Sequence, residues 1–220
     1  MGTLTRSLAN NITTGGVIAP AGITNATVAD ITSFPNASGG TLVLLSTQTA
    51  SASATISFTT GLDSTYDEYI FKYINIHPAS VAQLTFNLST DGGSNYNVIK
   101  TTTTFNAYHN EDDSDYGLLY RTAWDLAQST SFQIMAQELG NGADQSASGS
   151  LTLFNPSSTT YIKHFTGITE YYQNFGNTGA FQVYYAGYGN TTSAVNAVQF
   201  KMSSGNIDDG IIKLYGVKKS

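Results

Sequence analysis

The run Tyr69–Ile76 constrains the fold more than any other stretch of this chain. Its residues alternate between two faces, and both faces are mainly apolar: Tyr69, Phe71 and Tyr73 on one, Ile70, Ile74 and Ile76 on the other. A strand that is apolar on both faces is typical of the middle of a sheet covered from two sides. His77-Pro78 ends the run, because proline has no N–H to donate to a β-ladder. The sequence therefore predicts a central, fully covered strand.

A second strand and a turn follow this run. Leu84 and Phe86 alternate with polar residues, which indicates a strand with one buried face. The triplet Asp91–Gly93 is a tight-turn signal, and it predicts a hairpin that leads into a third strand from Tyr96. We expect four of the side chains in this region to lie in the core: Phe71, Ile74, Leu84 and Phe86.

Strand signals continue along residues 41–220, with about eleven β-rich segments and a turn signal every 8–15 residues or so. No long amphipathic helical pattern interrupts them. This pattern predicts an all-β domain, an antiparallel β-sandwich of the jelly-roll or concanavalin type. Residues 1–40 differ, because Arg6 and Asp30 are their only charged residues and Phe34 their only aromatic one. They are predicted to form an extended N-terminal arm that anchors the domain to a partner surface.

Composition excludes several classes of protein. Charged residues make up 11% of the chain, against about 25% in an average soluble domain. The net charge is −6 and the 9 basic residues are scattered, which argues against nucleic-acid binding. The chain has 0 cysteines, so neither disulfides nor thiolate metal sites are available. No secretory signal is visible at the N-terminus, and no apolar run is long enough for membrane insertion.

One turn matches the Asp-box pattern of sialidases, with Tyr96 where those proteins usually have tryptophan. Its four pattern residues are Ser89, Asp91, Gly93 and Tyr96. The aspartate is expected to cap turn amides, the glycine to allow a positive φ, and the aromatic ring to hold the turn against the sheet. A single copy on a chain too short for a propeller predicts a structural turn rather than a sialidase.

An acidic loop is the main candidate for a metal site, with Asp208-Asp209 before the last strand a weaker one. It contains Glu111, Asp112, Asp113 and Asp115. Calcium prefers several carboxylate oxygens on a flexible loop, but the EF-hand spacing is absent, and a solvated loop tip is the simpler interpretation. His77, His109 and His164 are far apart and lack any zinc-site spacing.

No catalytic motif stands out. The nucleophile pattern Gly-Xaa-Ser-Xaa-Gly does not occur, and no glycine-rich phosphate loop precedes a helix. Glu138 and Glu170 are the candidates for a glycosidase pair, although solvent-facing strand residues explain them as well. We expect a non-enzymatic protein that requires no cofactor.

Tyrosines are concentrated late in the chain. The segment contains Tyr171, Tyr172, Tyr184, Tyr185 and Tyr188. Exposed tyrosines dominate protein interfaces and also stack on sugar rings, while alternation along a strand must place some of them in the core. An interface, a sugar-binding surface and ordinary core packing all remain open for this segment.

Four stretches carry a resemblance to a known family. They are LTRSLANNITTGG (residues 4–16), LLSTQTASASATISFTTGLDSTYDEYIFKYINIHPA (44–79), LFNPSSTTYIKHF (153–165) and QFKMSSGNIDDGIIKLYGVK (199–218). The chain resembles virion structural proteins of marine tailed bacteriophages, including phages of cyanobacteria. The likeness extends over nearly the whole chain and is weakest at residues 106–142.

The resemblance implies a non-enzymatic virion protein present in many copies. Such a protein is assembled in the host cytoplasm and then carried on the extracellular particle. It would be a tail fibre or adhesin, or a decoration on the capsid, with other virion proteins as partners. We expect a homo-oligomer, with a trimer favoured. The competing hypothesis is a carbohydrate-binding module that recognises a host surface glycan.

Overall fold

The structure is a computed structural model that describes residues 41–175 and 177–219, which belong to one compact unit. The predicted arm, residues 1–40, lies outside the described residues. The elements are β1 Leu42–Thr49, β2 Ile56–Phe58, β3 Glu68–Pro78, β4 Ala82–Ser89, β5 Lys100–Asn110, β6 Tyr116–Tyr120, a 3₁₀ helix Thr122–Trp124, β7 Gln133–Leu139, β8 Ala147–Phe154, β9 Lys163–Phe175, β10 Asn177–Gly189, β11 Ala197–Met202 and β12 Ile207–Val217.

The strands form two layers of antiparallel sheet. The larger layer has the order β1-β12-β3-β8-β9-β10-β5-β6, and the smaller has the order β7-β4-β11-β2. A single pairing, Leu139 with Gln173, joins β7 of the smaller layer to β9 of the larger one. The predicted all-β fold, an antiparallel β-sandwich, is confirmed.

Aromatic rings fill the space between the layers. The ring of Phe86 in β4 meets Phe165 in β9 edge-on, with the ring centroids 5.2 Å apart. Phe71 in β3 likewise lies 5.3 Å from Phe58 in β2 and 5.5 Å from Phe200 in β11. Burying each such side chain contributes about 1.5–3 kcal/mol, so these rings are a principal source of the adhesion between the layers.

A β-bulge in β3 changes which side chains face the core. Tyr73 and Ile76 are both buried, and the pairing of β3 with β8 shifts between them, where Asn75 has a φ of 51°. The bulge turns Ile76 into the core, whereas Ile74 lies before it on the same outward face as Lys72 and is 41% exposed. Its predicted burial is wrong, and so is the prediction that β3 is covered on both faces. The predicted burial of the other three residues is confirmed: Phe71, Leu84 and Phe86 are each 0% exposed.

Two buried tyrosines fix the middle of the large layer. The hydroxyl of Tyr73 donates to the backbone oxygen of Ile168 at 2.8 Å and lies 3.2 Å from the hydroxyl of Tyr185. Burial raises the pKa of both phenols. Each ring lies against a glycine: a Cβ on Gly149 would be 2.7 Å from the hydroxyl of Tyr73. A Cβ on Gly167 would be 2.1 Å from the ring of Tyr185, so neither glycine can carry a side chain without moving a tyrosine.

The predicted hairpin at Asp91–Gly93 is wrong. Strand β4 pairs with β7 and β11, whereas β5 pairs with β6 and β10. The turn therefore sends the chain from the smaller layer to the larger one. The strand predicted from Tyr96 begins only at Lys100, after an irregular segment. A local hairpin forms instead between β5 and β6, and its loop is the acidic segment Glu111–Asp115.

Two lysines are buried in this fold. Lys100 is 0% exposed, and its ammonium donates to the side-chain oxygen of Asn87 and to the backbone oxygen of Val98 at 2.9 Å. Burial lowers the pKa of Lys100 to about 7. Lys163 donates to two backbone oxygens, those of Tyr161 at 2.5 Å and Thr191 at 3.2 Å, and burial lowers its pKa too.

The rings between the layers generate a first prediction. Phe86→Ala should lower the free energy of unfolding by about 3–5 kcal/mol, because it leaves a cavity between the layers. Ile74→Ala, on the outward side of the bulge, should lower it by less than about 1 kcal/mol. Urea denaturation of both variants tests this, and similar losses for the two would contradict the assignment of inner and outer faces.

The buried ammonium of Lys100 generates a second prediction. The pKa of Lys100 is about 7 in the folded state and about 10.4 in an unfolded chain. Between these values the unfolded state binds more protons, so the free energy of unfolding should rise with pH, by about 2 kcal/mol from pH 7 to pH 9. Lys100→Met should remove this rise. Lys72→Met, at an exposed position of β3, is the matched control and should retain it in urea titrations.

Candidate functional surface

The outer face of the large layer carries a row of apolar side chains. Register places Tyr184 of β10 between Phe105 of β5 and Ile168 of β9. The rings of Phe105 and Tyr184 stack, with centroids 4.9 Å apart and planes 11° from parallel. Tyr120 of β6 extends the row beyond Phe105. These side chains face away from the core, so the row forms part of the molecular surface.

Strand β6 continues this surface to the edge of the layer. Tyr116, Leu118 and Tyr120 are 70%, 68% and 60% exposed, and they share the outer face. Leu119 points to the opposite face and is also exposed. Among the described residues, β6 pairs with β5 alone. We refer to Tyr116–Tyr120 as the β6 edge. It combines exposed apolar side chains with backbone groups on its far side that β5 does not engage.

A groove of about 620 Å³ lies on the same face. Glu170 and Tyr172 of β9 line it together with Ser148 of β8 and Glu111 of the β5–β6 loop. The carboxylate of Glu111 accepts from the hydroxyl of Thr178 at 3.3 Å and lies 3.5 Å from the hydroxyl of Tyr172. Partial burial raises the pKa of Glu170. Two carboxylates beside an aromatic ring provide acceptors for hydroxyl groups and a face for a flat apolar ring.

The late tyrosines do not act as one set. Tyr171 and Tyr185 are buried in the core, because their strands alternate and these positions face the smaller layer. Their candidacy for an interface is therefore wrong. Tyr172, Tyr184 and Tyr188 lie half-buried on the outer face, which leaves these three available for contacts. Tyr188 packs against His164, with the ring centroids 6.2 Å apart.

The four acidic side chains of the β5–β6 loop bind different local partners. Asp113 accepts from Nε2 of His109 at 2.9 Å, and Asp115 accepts from the hydroxyl of Tyr108 at 3.0 Å. Asp112 accepts from the backbone N–H of Ser114 at 3.0 Å, while Glu111 faces the groove. Within residues 41–175 and 177–219, no three His, Cys, Asp or Glu side chains converge as metal ligands. The loop therefore does not present calcium with the convergent carboxylates that it prefers.

The Asp-box residues are joined by hydrogen bonds. The carboxylate of Asp91 accepts from the hydroxyl of Ser89 at 2.7 Å and from the backbone N–H of Asn95 at 2.9 Å. The hydrogen bonds from Ser89 and Asn95 lower the pKa of Asp91 to about 2. Gly93 has a φ of +91°, and a Cβ there would be 2.6 Å from the hydroxyl of Tyr96. These contacts all stabilise the turn itself, at the point where the chain crosses between the layers.

The glutamates and histidines considered for catalysis or metal binding have different surroundings and different partners. Glu138 of β7 accepts from the side-chain amide of Gln173 at 2.9 Å, whereas Glu170 faces the groove. His77 contacts the backbone oxygen of Gln145 at 2.7 Å, and His109 belongs to the acidic loop. Each of these contacts stabilises a local loop or strand end.

Sequence reasoning missed the β6 edge. Its residues are YGLLY, and both faces of the strand carry apolar side chains. This pattern is usually assigned to a buried strand. Only the pairing partners distinguish an edge strand from a covered one. The acidic residues before the strand and Arg121 after it were a signal of an exposed edge strand, because charged residues are common at such edges.

Comparisons of the chain with models of protein families, with curated proteins and with solved structures found no match. Among the described residues, no helix has the length and apolar character needed to cross a membrane. The exposed surface of the sandwich and the sequence resemblance are therefore the observations from which a function is inferred.

Proposed function

We propose that the chain is a non-enzymatic structural protein of a bacteriophage virion, displayed on the particle in many copies. It serves as a tail-fibre or adhesin-type component or as a capsid decoration, with the tail favoured. It is assembled in the host cytoplasm, carried on the released particle, and contacts other virion proteins. The proposal rests on the four stretches that resemble phage virion proteins.

The β6 edge is the structural observation that supports this proposal best. Exposed apolar patches on folded proteins mark contact surfaces, and an exposed strand edge is a template for pairing with another chain. The β6 edge carries both features within five residues, and the row from Phe105 to Ile168 extends it across the face. A protein present in many copies on a particle needs such contact surfaces.

Residues 1–40 are proposed as the anchor. They contain too few apolar side chains to bury a core of their own, and ordering each backbone residue costs about 1–2 kcal/mol. Docking on a partner, by adding a strand to its sheet or by burial against it, would offset this cost. We propose a homotrimer as the form in which the arms engage the particle, since closed symmetry satisfies all equivalent contacts.

Particle incorporation tests the anchor. In a phage that encodes this chain, the full-length protein should be present at many copies in purified virions by quantitative mass spectrometry. A chain lacking residues 1–40, supplied by complementation, should fold with nearly unchanged thermal stability and should be absent from the particles. The full-length chain supplied in the same way is the control.

Two results would count against the proposal. Detection of the full-length protein in the lysate but not in purified particles would contradict a virion role. Normal loading of the truncated chain would instead show that the anchor lies on the sandwich.

A second candidate function is recognition of a host surface glycan, and the groove at Glu170 favours it. Sugar hydroxyls pair with carboxylates such as Glu111 and Glu170, and the half-buried ring of Tyr172 lines the same groove. Ligand sites commonly combine a concave apolar surface with a few polar groups in this way. This candidate is compatible with a tail position, where a receptor-binding protein would be displayed.

A glycan array separates the second candidate from a purely structural role. If the groove binds a glycan, the full chain should bind a defined set of glycans, and both Glu170→Gln and Tyr172→Ala should reduce that binding about tenfold or more. Tyr161→Ala, at a 70% exposed loop position outside the groove, is the matched control and should bind normally. Equal binding by all four proteins, or none by the parent, would eliminate the groove as a receptor site.

A further inference from the structure

Alternate residues of the β6 edge direct their backbone N–H and C=O groups toward β5 and away from it. The backbone N–H of Asn110 donates to the backbone oxygen of Asp115 at 2.9 Å. The backbone N–H of Arg121 likewise donates to the backbone oxygen of Thr104 at 2.9 Å. The odd-numbered residues of β6 are therefore the ones hydrogen-bonded to β5. Because alternate residues of an antiparallel strand bond to opposite neighbours, Tyr116, Leu118 and Tyr120 direct their N–H and C=O groups away from β5. A strand that pairs here must form its hydrogen bonds with these three residues.

The sequence around Leu118 is complementary to itself when read in the opposite direction. Tyr116 and Tyr120 are equally spaced about Leu118, and beyond them stand Asp115 on one side and Arg121 on the other. An antiparallel copy of this strand, centred on Leu118, places each tyrosine opposite the other tyrosine. It also places Asp115 opposite Arg121 at both ends. Opposite charges in facing positions of a strand pair are stabilising.

The two charged side chains lie on the same face of the layer. Asp115 and Arg121 are each an even number of residues from Leu119 along the strand, so all three side chains point to the inner side of β6. Arg121 is held there by a 2.5 Å hydrogen bond from its Nε to the side-chain oxygen of Asn106 and by stacking over the ring of Trp124. A two-fold axis perpendicular to the layer leaves the inner faces of the two copies on the same side of the joined sheet. It therefore brings Asp115 of one copy beside Arg121 of the other on one side of the joined sheet.

We propose that β6 pairs antiparallel with β6 of a second copy of this chain, in a register centred on Leu118. The pairing satisfies the outward backbone groups of three residues on each copy and covers the most exposed apolar side chains of the β6 edge. It is isologous, so the two β6 edges close each other and this contact does not itself propagate into a fibre. It goes beyond the virion proposal and does not depend on it.

A single introduced cysteine tests the contact in the full chain, which has 0 cysteines of its own. Opposed hydrogen-bonded residues have Cα atoms about 5.5 Å apart, within the range of about 4.4–6.8 Å that a disulfide requires. Leu118→Cys should thus form a covalent dimer on mild oxidation. Tyr161→Cys, which replaces a side chain of similar exposure at 70%, should remain largely monomeric on a non-reducing denaturing gel.

This gel reports the two-fold contact alone. A trimer formed through residues 1–40 would dissociate in denaturant without leaving a cross-link, so its presence or absence does not affect the result. Equal cross-linking of the two variants, or no cross-linking of Leu118→Cys, would overturn the proposal.

The register is tested by mixing two variants. Tyr116→Cys and Tyr120→Cys should cross-link to each other, and each alone should cross-link much less, because residue 116 faces residue 120 of the other copy. Efficient cross-linking of Tyr116→Cys with itself would place the centre of the register at residue 116 and overturn the proposed one.

Charge reversal tests the partner assignment independently. Asp115→Arg places like charges opposite each other at both ends of the contact and should weaken dimerisation about tenfold, measured by sedimentation equilibrium at low salt. The double variant Asp115→Arg with Arg121→Asp restores opposite charges and should recover most of the loss. Circular dichroism checks that each variant is folded. Failure of the double variant to recover, with its fold intact, would contradict the pairing of Asp115 with Arg121.

Discussion

The sandwich depends on two tyrosines that occupy the space left by two glycines. Tyr73 lies against Gly149 and Tyr185 lies against Gly167, and the two hydroxyls meet 3.2 Å apart in the core. Four neighbouring strands, β3, β8, β9 and β10, are held in register around this point, since a one-residue slip would move a glycine out from under a ring. The aromatic contacts between the layers and the outward face both follow from that register.

The same register determines what the molecule presents to its surroundings. Because Tyr185 faces inward, Tyr184 faces outward and stacks on Phe105, and the groove opens where Glu170 alternates with the buried Tyr171. Few charges are available to solvate this face, since the chain has only 9 basic and 15 acidic residues. Polar uncharged residues and exposed aromatic rings take their place, which suits surfaces that become buried on assembly.

Sequence reasoning predicted the all-β sandwich and three of four core side chains because two-residue alternation is a local property. It failed for Ile74 because the outer face of β3, which Ile74 shares with the exposed Lys72, is not covered as the core face is, and an apolar pattern does not show which face is covered. It failed for Asp91–Gly93 because a turn signal does not specify which strands pair after the turn. The β6 edge and the groove depend on partners distant in sequence, and Glu170 and Glu111 line the same groove only because β5, β10 and β9 pair. Tyr171 and Tyr172, adjacent in sequence, face opposite sides of β9, but alternation alone does not show which of the two sides is the core.

The position of β12 has a consequence for synthesis of the chain. Strand β12 lies between β1 and β3, so among the described strands β1 has no neighbour until β12 has been made. Contacts between distant segments slow folding, and here the large layer cannot close before Val217 has left the ribosome. Nascent chains must therefore hold β1 and β3 with unpaired edges during most of translation, a state prone to association between neighbouring chains. A ribosome that stops short of residue 207 would release a product lacking the strand that joins β1 to β3.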